Sequence, residues 1–294
     1  MFLQERMEQQ EFSPSEEEVI HYILQKQEQL AQETTTSIAH ATYTSPSILV
    51  RIAKKLGYAG FQDFKEAFLE EVGYLNKNFK DLDPNQPFEA KDSYMSIAHK
   101  IAILKKETIE DTLELISHDS LSKAVSLLEK GQSIYVFGIS NINYALGEFV
   151  FKLRHIGMNA FVFMNHGEMI QEAVMMKPGS VALIVSYSGE SGEIIRLANI
   201  LKKKHIPIIA ITSIGDNDLS KKADVTLYVT TREKSFTKIG NFTSLESIEM
   251  NLDILYSCLF KLNYQENFAY KTNVSQSTES RKIDNDILKE EMNK

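Results

Sequence analysis

The chain has 294 residues, and its formal net charge is −8. This length favours about two domains, and a hydrophobic content of 43% is that of a packed globular protein rather than a disordered or fibrous one. The negative charge argues against electrostatic binding of nucleic acid by the whole surface, although a whole-chain sum conceals local basic patches. The single cysteine, Cys258, excludes an internal disulfide and lies in an apolar run that favours a buried side chain.

The amino-terminal segment, MFLQERMEQQEFSPSEEE, is charged and polar where a secretory signal peptide would be apolar. No apolar stretch of the sequence reaches the roughly 18 residues of a membrane-spanning helix. We therefore expect a cytoplasmic protein with no membrane partner, and the lack of disulfides agrees with a reducing compartment.

Residues 15–75 are predicted to form helices only. The first, SEEEVIHYILQKQEQL, starts at a capping Ser15, and a short one follows in TTSIAHATY. The third, SPSILVRIAKKLG, has Ser45 as its N-cap and Pro46 as its first helical residue, and it stops at Gly57. A fourth helix follows in FQDFKEAFLEEVGYL.

A helix-turn-helix is predicted from two of these helices, because both are short and a tight turn near Tyr43 joins them. The second of the two, residues 45–56, is the candidate recognition helix. Residues 41–65 contain four basic side chains and one acidic side chain, a net charge of +3 within an acidic chain. The residues expected to face base edges are Thr44, Ser45, Ser47, Ile48 and Arg51, and those expected to lie nearer phosphates are Lys54 and Lys55. The alternative is a small helical bundle used for dimerisation, with solvated lysines.

A linker is predicted at residues 77–94, since this segment holds two prolines and mixed charge without periodicity. Helices are expected over residues 95–116 and 120–130. Beyond Gly131 the sequence alternates between strand-like and helical segments, with strands near residues 133, 160, 182, 207 and 226. This alternation predicts an α/β domain with a five-stranded parallel, doubly wound, flavodoxin-like sheet after the all-α domain.

The predicted division of the chain has four parts. An all-α helix-turn-helix domain occupies residues 1–76, and the linker follows it. The α/β domain with its leading helices covers residues 95–262 and ends in the helix SLESIEMNLDILYSCLF. The remaining residues, 263–294, form a polar tail that is not expected to fold alone.

The stretch VSYSGESGEIIRLANI, residues 185–200, combines a strand end, a polar turn and a helix start. The run VALIVS before the turn suits a strand buried on both faces, and the apolar spacing after it is helical. Such a turn gathers unpaired amides and small hydroxyls where the helix dipole favours an anion. A phosphate cradle fits this pattern, and so does an ordinary N-cap in which Ser188 or Ser191 satisfies one amide.

Two motifs carry a resemblance to a known family. The run TSIAHATYTSPSILVRIAKKLGYAGFQDFKEAF resembles the amino-terminal domain of RpiR-family transcriptional regulators, above all in KLGYAGFQDFK. The turn SYSGES is similar to the Ser-x-Ser-Gly-x-Thr/Ser phosphate loop of sugar isomerase (SIS) domains, the second half of that family. The resemblance implies a regulator that binds double-stranded operator DNA through one domain and a phosphorylated sugar through the other. We expect a dimer or tetramer on a palindromic operator, without a cofactor or a metal.

The resemblance also assigns site residues. Ser186, Ser188 and Ser191 match phosphate-contacting hydroxyls, and Gly189 would allow the close approach of the phosphate. The full set of phosphosugar-binding residues expected here is Ser140, Asn141, Ser186, Ser188, Gly189, Ser191 and Glu246.

The chain departs from the family pattern in two places. The family's first strand usually ends Gly-x-Gly-x-Ser, whereas this chain has Ser140 for the second glycine and Ile142 for the serine. The family's Ser-Arg pair before the last helix is Ser-Leu here, with Leu245 in the arginine position, and losing that cation would weaken any bidentate phosphate contact. Either Asn141 and Asn143 compensate, or the ligand differs from the family's commonest ones, or binding is weak.

Catalysis is the main alternative, because SIS domains also occur in aldose–ketose isomerases that move a proton between sugar carbons. The candidate bases are Glu190, Glu246 and His166, and the sequence pairs none of them. Glu190 starts a helix whose dipole lowers its basicity. We prefer the regulator because an enzyme would not require a helix-turn-helix. A sugar-binding sensor without DNA contacts is a third possibility, which the cations of residues 45–56 argue against.

Overall fold

The computed structural model describes residues 3–76, 82–163 and 165–278. The amino-terminal part of the chain is helical, as the sequence predicts. The helices are α1 (Leu3–Gln9), α2 (Pro14–Lys26), α3 (Thr35–Ala41), α4 (Pro46–Lys55) and α5 (Phe61–Asn76), with a 3₁₀ helix at Gln27–Gln32. Their apolar faces meet in one core, in which Leu49, Phe64 and Phe68 are fully buried.

The start of α2 differs from the prediction, because its N-cap is Ser13 rather than Ser15. Pro14 takes the first helical position, which favours proline, and the Glu16 carboxylate accepts a hydrogen bond from the Ser13 amide at 2.9 Å. These two features complete a capping box two residues earlier than expected. Helix α1 was not predicted, and it buries Leu3 in the same core.

The second part of the chain is an α/β unit. Helices α6 (Tyr94–Leu115) and α7 (His118–Lys130) precede the sheet, and α11 (Thr243–Leu262) follows it. The strands are β1 (Ser133–Phe137), β2 (Ala160–Val162), β3 (Ser180–Ser186), β4 (Ile208–Ser213) and β5 (Val225–Val229). The helices between strands are α8 (Ile142–Arg154), α9 (His166–Met175) and α10 (Gly192–Lys203).

All strands of this sheet are parallel, and their order is β2-β1-β3-β4-β5. The predicted flavodoxin-like sheet is therefore confirmed, with the strand order reversing between β1 and β3. In open sheets of this kind, ligands bind outside the carboxyl ends of the strands at the point of reversal.

Helices cover both faces of the sheet, and β3 shows this most clearly because all of its residues are buried. Leu183 and Val185 share a core with α7, α8 and α11, whereas Ala182 and Ile184 share a core with α9 and α10. Since neither face of the strand meets water, its sequence is a continuous apolar run.

The segment predicted as a linker is described only from residue 82 onward, and residues 77–81 lie outside the described part. Asn85 fixes the described remainder to the α/β unit. Its backbone carbonyl accepts from the Ile239 amide at 2.9 Å, and its side-chain oxygen accepts from the Lys234 amide at 2.6 Å. The second half of the segment therefore packs against the loop that follows β5.

The polar tail beyond Asn263 contains a helix that its composition did not indicate, α12 (Tyr264–Thr278). The tail does not fold alone, because an aromatic row continues across the junction from α11. Successive ring centroids lie 5.2–6.5 Å apart along Tyr256, Phe260, Tyr264 and Phe268. The Asn267 side chain also donates to the Phe260 carbonyl at 3.0 Å. Residues 279–294 lie outside the described part of the chain. Among the described residues, no helix is long and apolar enough to cross a bilayer.

Candidate DNA-reading helix and anion site

A tight turn joins α3 to α4. Tyr43 occupies it with φ +53° and is 97% exposed. The Thr42 hydroxyl donates to the Ile38 carbonyl at 2.8 Å and lies 2.9 Å from the Thr44 hydroxyl, so side chains help to end α3. Ser45 is then the N-cap of α4, as predicted. The two short helices thus have the connection expected of a helix-turn-helix.

Helix α4 has one apolar face and one polar face. Leu49, Ile52 and Ala53 are buried against the other helices. Among the predicted DNA-reading residues, the exposed ones are Ser45, Ser47, Arg51, Lys54 and Lys55, and the half-buried ones are Thr44 and Ile48. Hydroxyl groups therefore lie near the start of the helix and cations toward its end. This is an arrangement that can meet base edges and phosphates together.

A buried carboxylate from α2, Glu16, holds two of these cations. Its side chain is 1% exposed, and its oxygens lie 2.8 Å from Arg51 Nε and 2.8 Å from Lys55 Nζ. Ser13 donates its hydroxyl to the same carboxylate at 3.0 Å. Burial raises the pKa of Glu16, but hydrogen bonds from Lys55, Ser13 and Arg51 outweigh it and lower the pKa to about 2. The sequence indicated Glu16 only as an acid at a helix start, although the Ser-x-x-Glu spacing of a capping box was present.

The turn between β3 and α10 lies at the carboxyl edge of the sheet. Ser186 ends β3 and is buried, Ser188 is exposed, and Ser191 is half-buried. Ser191 is the N-cap of α10, yet its hydroxyl makes no capping bond, and Ser188 Oγ accepts a long bond of 3.3 Å from the Glu190 amide. The first turn of α10 therefore keeps amides that no hydroxyl satisfies, beside the positive end of the helix dipole. Such a helix start can bind an anion.

The segment after β4 holds this turn in place. Gly189 has φ +67°, and a Cβ on it would lie 2.0 Å from Asn217 Oδ1, so glycine is required because Asn217 packs there. The Gly189 carbonyl accepts from the Leu219 amide at 3.1 Å. The Glu190 carboxylate accepts from the Asp218 amide at 3.1 Å. These bonds preorganise the turn before any ligand arrives.

The loop after β1 lies beside the same turn, because β1 and β3 are neighbours in the sheet. Ser140, which stands where the resemblance expects glycine, has φ +65°. Asn141 is the N-cap residue of α8 and makes no side-chain capping bond. Asn143 is 5% exposed, and its Oδ1 has no hydrogen-bond partner among the described residues. Polar side chains thus line the point at which the strand order reverses.

A second buried carboxylate, Glu233, connects α11 to the β3–α10 turn. Its Oε1 accepts from the amides of Thr243 and Ser244 at 2.6 and 3.1 Å, at the start of α11. Its backbone amide and carbonyl bond the Tyr187 hydroxyl at 2.9 and 3.1 Å. Lys238 Nζ lies 3.2 Å from Glu233 Oε2 and 5.1 Å from the Tyr187 ring centroid. No sequence pattern indicated this cluster, since its acid lies in a loop without periodicity.

Two family models match the chain. The helix-turn-helix domain of the rpiR family matches residues 2–73, and the SIS domain matches residues 127–257. The first range contains the turn between α3 and α4, and the second contains the whole sheet. The chain therefore combines a helix-turn-helix domain of the rpiR family with a SIS domain. The resemblance carried by the two sequence motifs is therefore confirmed.

Proteins similar to this chain are named as regulators. An uncharacterized HTH-type transcriptional regulator of Caldanaerobacter subterraneus subsp. tengcongensis is 27% identical over 274 residues, which cover 93% of this chain and 95% of that protein. The HTH-type transcriptional regulator YbbH of Bacillus subtilis is 25% identical over 274 residues, which cover 92% of this chain and 94% of that protein.

A solved structure shares the fold. The NanR protein of Vibrio vulnificus, complexed with ManNAc-6P, superposes with a TM-score of 0.61 at 23% identity. The match covers 95% of this chain and 100% of that chain. The likeness therefore extends over both parts of the chain.

Two of the three candidate bases of an isomerase have other partners in this chain. Glu190 is bound to the Asp218 amide, and Glu246 pairs with Lys105 of α6 at 2.5 Å. The partner of Glu246 thus belongs to α6 and not to the β3–α10 turn. His166 begins α9, and its side chain lies outside the described part. Within the described ranges, no group of three or more His, Cys, Asp or Glu side chains could hold a metal ion.

Proposed function

We propose that this protein binds operator DNA through α4 and that a phosphorylated sugar at the β3–α10 turn changes its affinity for that DNA. The observation that carries the proposal is the turn itself, where Ser191 occupies the N-cap of α10 without a capping bond. An oxyanion can accept hydrogen bonds from this hydroxyl and from the amides of the first helical turn. The complex of the similar NanR protein with ManNAc-6P supports a sugar phosphate as the class of ligand.

The phosphate and the sugar are proposed to use different residues. The phosphate would bind Ser188, Ser191 and the amides beside them, and the bonds would be strong because the acceptor is charged. The sugar would lie toward Ser140 and Asn141, since ligands of such sheets bind where the strand order reverses. Glu246 would first have to leave Lys105 before it could contact the sugar.

The α/β unit is proposed to sense the sugar rather than to isomerise it. Proton transfer requires a base within hydrogen-bond reach of the substrate. Glu190 and Glu246 are engaged elsewhere, and similar chains are named as regulators. Turnover of hexose phosphates by the purified protein would contradict this part of the proposal.

Two copies of the chain are proposed to act on one operator. Helix-turn-helix dimers read two half-sites about 34 Å apart, one turn of the DNA helix. The operator would then be palindromic, and the spacing of the two copies of α4 would decide the affinity.

The segment after β4 is the proposed connection between the ligand and the DNA. At one end, the Leu219 amide bonds the Gly189 carbonyl of the ligand turn. At the other end, the Asp216 carboxylate lies 3.8 Å from the guanidinium of Arg6 in α1. Arg6 also donates to the carbonyl of Leu56, the residue directly after α4. A continuous series of contacts therefore runs from the anion site to the end of the recognition helix.

A ligand can act through this connection only by binding two arrangements of the domains with different affinities. A coupling free energy of about 1–3 kcal/mol is typical and corresponds to a change in operator affinity of about 5- to 150-fold.

The proposal is tested with the full chain and a pool of random-sequence duplexes. Duplexes retained by the protein are sequenced, and the affinity of the selected duplex is measured by fluorescence anisotropy with and without sugars. We expect ManNAc-6P or another hexose phosphate to change the affinity, and the unphosphorylated sugars to have no effect. If no sequence is enriched, the DNA-binding part fails; if no sugar phosphate changes the affinity or the melting temperature, the sensing part fails.

A further inference from the structure

The carboxylate of Glu16 lies against the recognition helix, and its role as a helix cap does not explain its partners. A capping box needs only the bonds between Ser13 and Glu16. Here both oxygens of the carboxylate also reach across to α4 and bind Arg51 Nε and Lys55 Nζ at 2.8 Å each. An acidic group beside a DNA-binding surface repels phosphates, so its presence opposes binding of DNA in general. Helix capping alone therefore does not account for these contacts with α4.

The Arg51 guanidinium keeps N–H donors that Glu16 does not bind. A guanidinium has five N–H donors, and Glu16 engages the one on Nε. The Arg51 side chain is 57% exposed, so its remaining donors can reach a base edge. Arginine reads guanine with two such donors in a fixed plane.

Lys55 is held more firmly than its neighbour Lys54. Its ammonium binds Glu16 and lies 5.4 Å from the ring centroid of Phe12, and its side chain is 39% exposed. Lys54 is exposed, and its side chain makes no hydrogen bond or ion pair with the described residues. Of the two lysines, Lys54 is thus the one whose ammonium can bind a DNA phosphate without first leaving a partner in the protein.

We infer that Glu16 is a positioning residue for DNA recognition. This inference rests on the proposal that α4 reads DNA. Its carboxylate fixes the plane of the Arg51 guanidinium before DNA arrives, so a long side chain loses less conformational freedom on binding. Its charge at the same time offsets part of the attraction of Arg51 and Lys55 for phosphates of any sequence. Only the first effect raises the ratio of operator affinity to non-specific affinity, because the second lowers both affinities alike.

This inference predicts an effect that simple electrostatics does not. Replacing an acid by its amide near DNA removes repulsion and should strengthen binding to every sequence. If Glu16 positions Arg51, Glu16→Gln will instead weaken binding to the operator relative to other DNA. Glu17→Gln is the matched control, because Glu17 lies in the same turn of α2 and is exposed, and its side chain makes no hydrogen bond or ion pair with described residues.

The experiment measures the affinity of each full-length variant for the duplex selected by the wild-type chain and for a scrambled duplex of equal length. For Glu16→Gln we expect the ratio of the two affinities to fall roughly tenfold, the order of one lost bidentate base contact. For Glu17→Gln we expect no change in the ratio. Equal changes of both affinities in the two variants would overturn the inference, because Glu16 would then act as a charge alone.

A loss of folding is separated from a loss of positioning by a cycle of variants. Circular dichroism first identifies a temperature at which every variant is folded. Arg51→Ala is then measured with and without Glu16→Gln, and we expect the second change to leave the affinity ratio unaltered once Arg51 is absent. A further fall in the ratio would show that Glu16 acts through the fold, and it would overturn the inference. If the wild-type chain selects no sequence at all, the proposed function fails and this inference falls with it.

Discussion

Leu219 donates its backbone amide to the carbonyl of Gly189 across 3.1 Å, and this bond ties the segment after β4 to the candidate phosphate turn. Three residues earlier, the same segment carries Asp216, whose carboxylate faces Arg6 of α1. A path of four residues therefore joins the ligand turn to the DNA-binding helices. The described part of the predicted linker, by contrast, contacts the loop after β5.

Breaking the ion pair between Asp216 and Arg6 should weaken the coupling between the two domains without affecting the ligand site or the DNA-binding site. In Asp216→Asn we expect ligand affinity, measured by calorimetry, to stay at the wild-type value. The ligand's effect on operator affinity should shrink about 1.4- to 5-fold, which corresponds to the 0.2–1 kcal/mol of an exposed ion pair. Asp218→Asn is the control, because Asp218 contributes its backbone amide. An undiminished ligand effect in Asp216→Asn would rule out this route.

The recognition helix is tested by comparing two cations on its exposed face. Arg51→Ala should cost about 1–3 kcal/mol on the selected duplex and little on a scrambled one, because it removes a base contact. Lys54→Ala should weaken binding to both duplexes alike and reduce the slope of affinity against salt by about 1, because it removes a phosphate contact. Equal losses on both duplexes in Arg51→Ala would assign that side chain to the backbone instead.

The phosphate turn is tested by removing its two accessible hydroxyls. The double variant Ser188→Ala with Ser191→Ala should lose at least tenfold in affinity for the sugar phosphate, because hydrogen bonds to charged groups contribute about 1.5–3 kcal/mol each. Operator affinity without ligand should not change. Ser122→Ala, at an exposed position of α7, provides the control. A full ligand response in the double variant would show that the anion binds elsewhere.

The elements that the sequence predicted are those with local signals. The five strands were found because strand-like apolar runs alternate with helical segments, and β3 and β4 are buried throughout. Helix α4 was found from Ser45 and Pro46 at its start. The residues that were missed act over long separations. Glu16 meets Arg51 across 35 residues, and Tyr187 meets Glu233 across 46. Such pairs leave no periodic pattern, because only the folded chain brings their partners together.

Backbone conformation makes one departure from the family pattern energetically costly. Ser140 has φ +65°, a left-handed conformation that costs a residue with a side chain roughly 1–2 kcal/mol. Glycine avoids this cost but loses about 0.5–1 kcal/mol through the greater freedom of the unfolded chain. Ser140→Gly should therefore raise the free energy of unfolding by about 0.5–1 kcal/mol in urea titrations. Ser122→Gly, within α7, should lower it by about 0.5 kcal/mol, because serine is itself less favourable in a helix than alanine. A destabilised Ser140→Gly would mean that the serine side chain makes a contact that offsets the strain.

The charge of Glu16 should make the stability of the helical domain depend on pH. Folding lowers the pKa of this carboxyl group from 4.5 to about 2, so the unfolded chain binds the proton more readily between these two values. The stabilising contribution of Glu16 is therefore complete above pH 4.5 and is lost as the pH falls toward 2. Urea unfolding of the wild type and of Glu16→Gln, which keeps a residue suited to the capping box, should differ most near pH 7. The difference in free energy of unfolding should narrow steadily below pH 4.5. A constant difference from pH 7 to pH 3 would mean that Glu16 stabilises the domain through its shape and not through its ion pairs with Arg51 and Lys55.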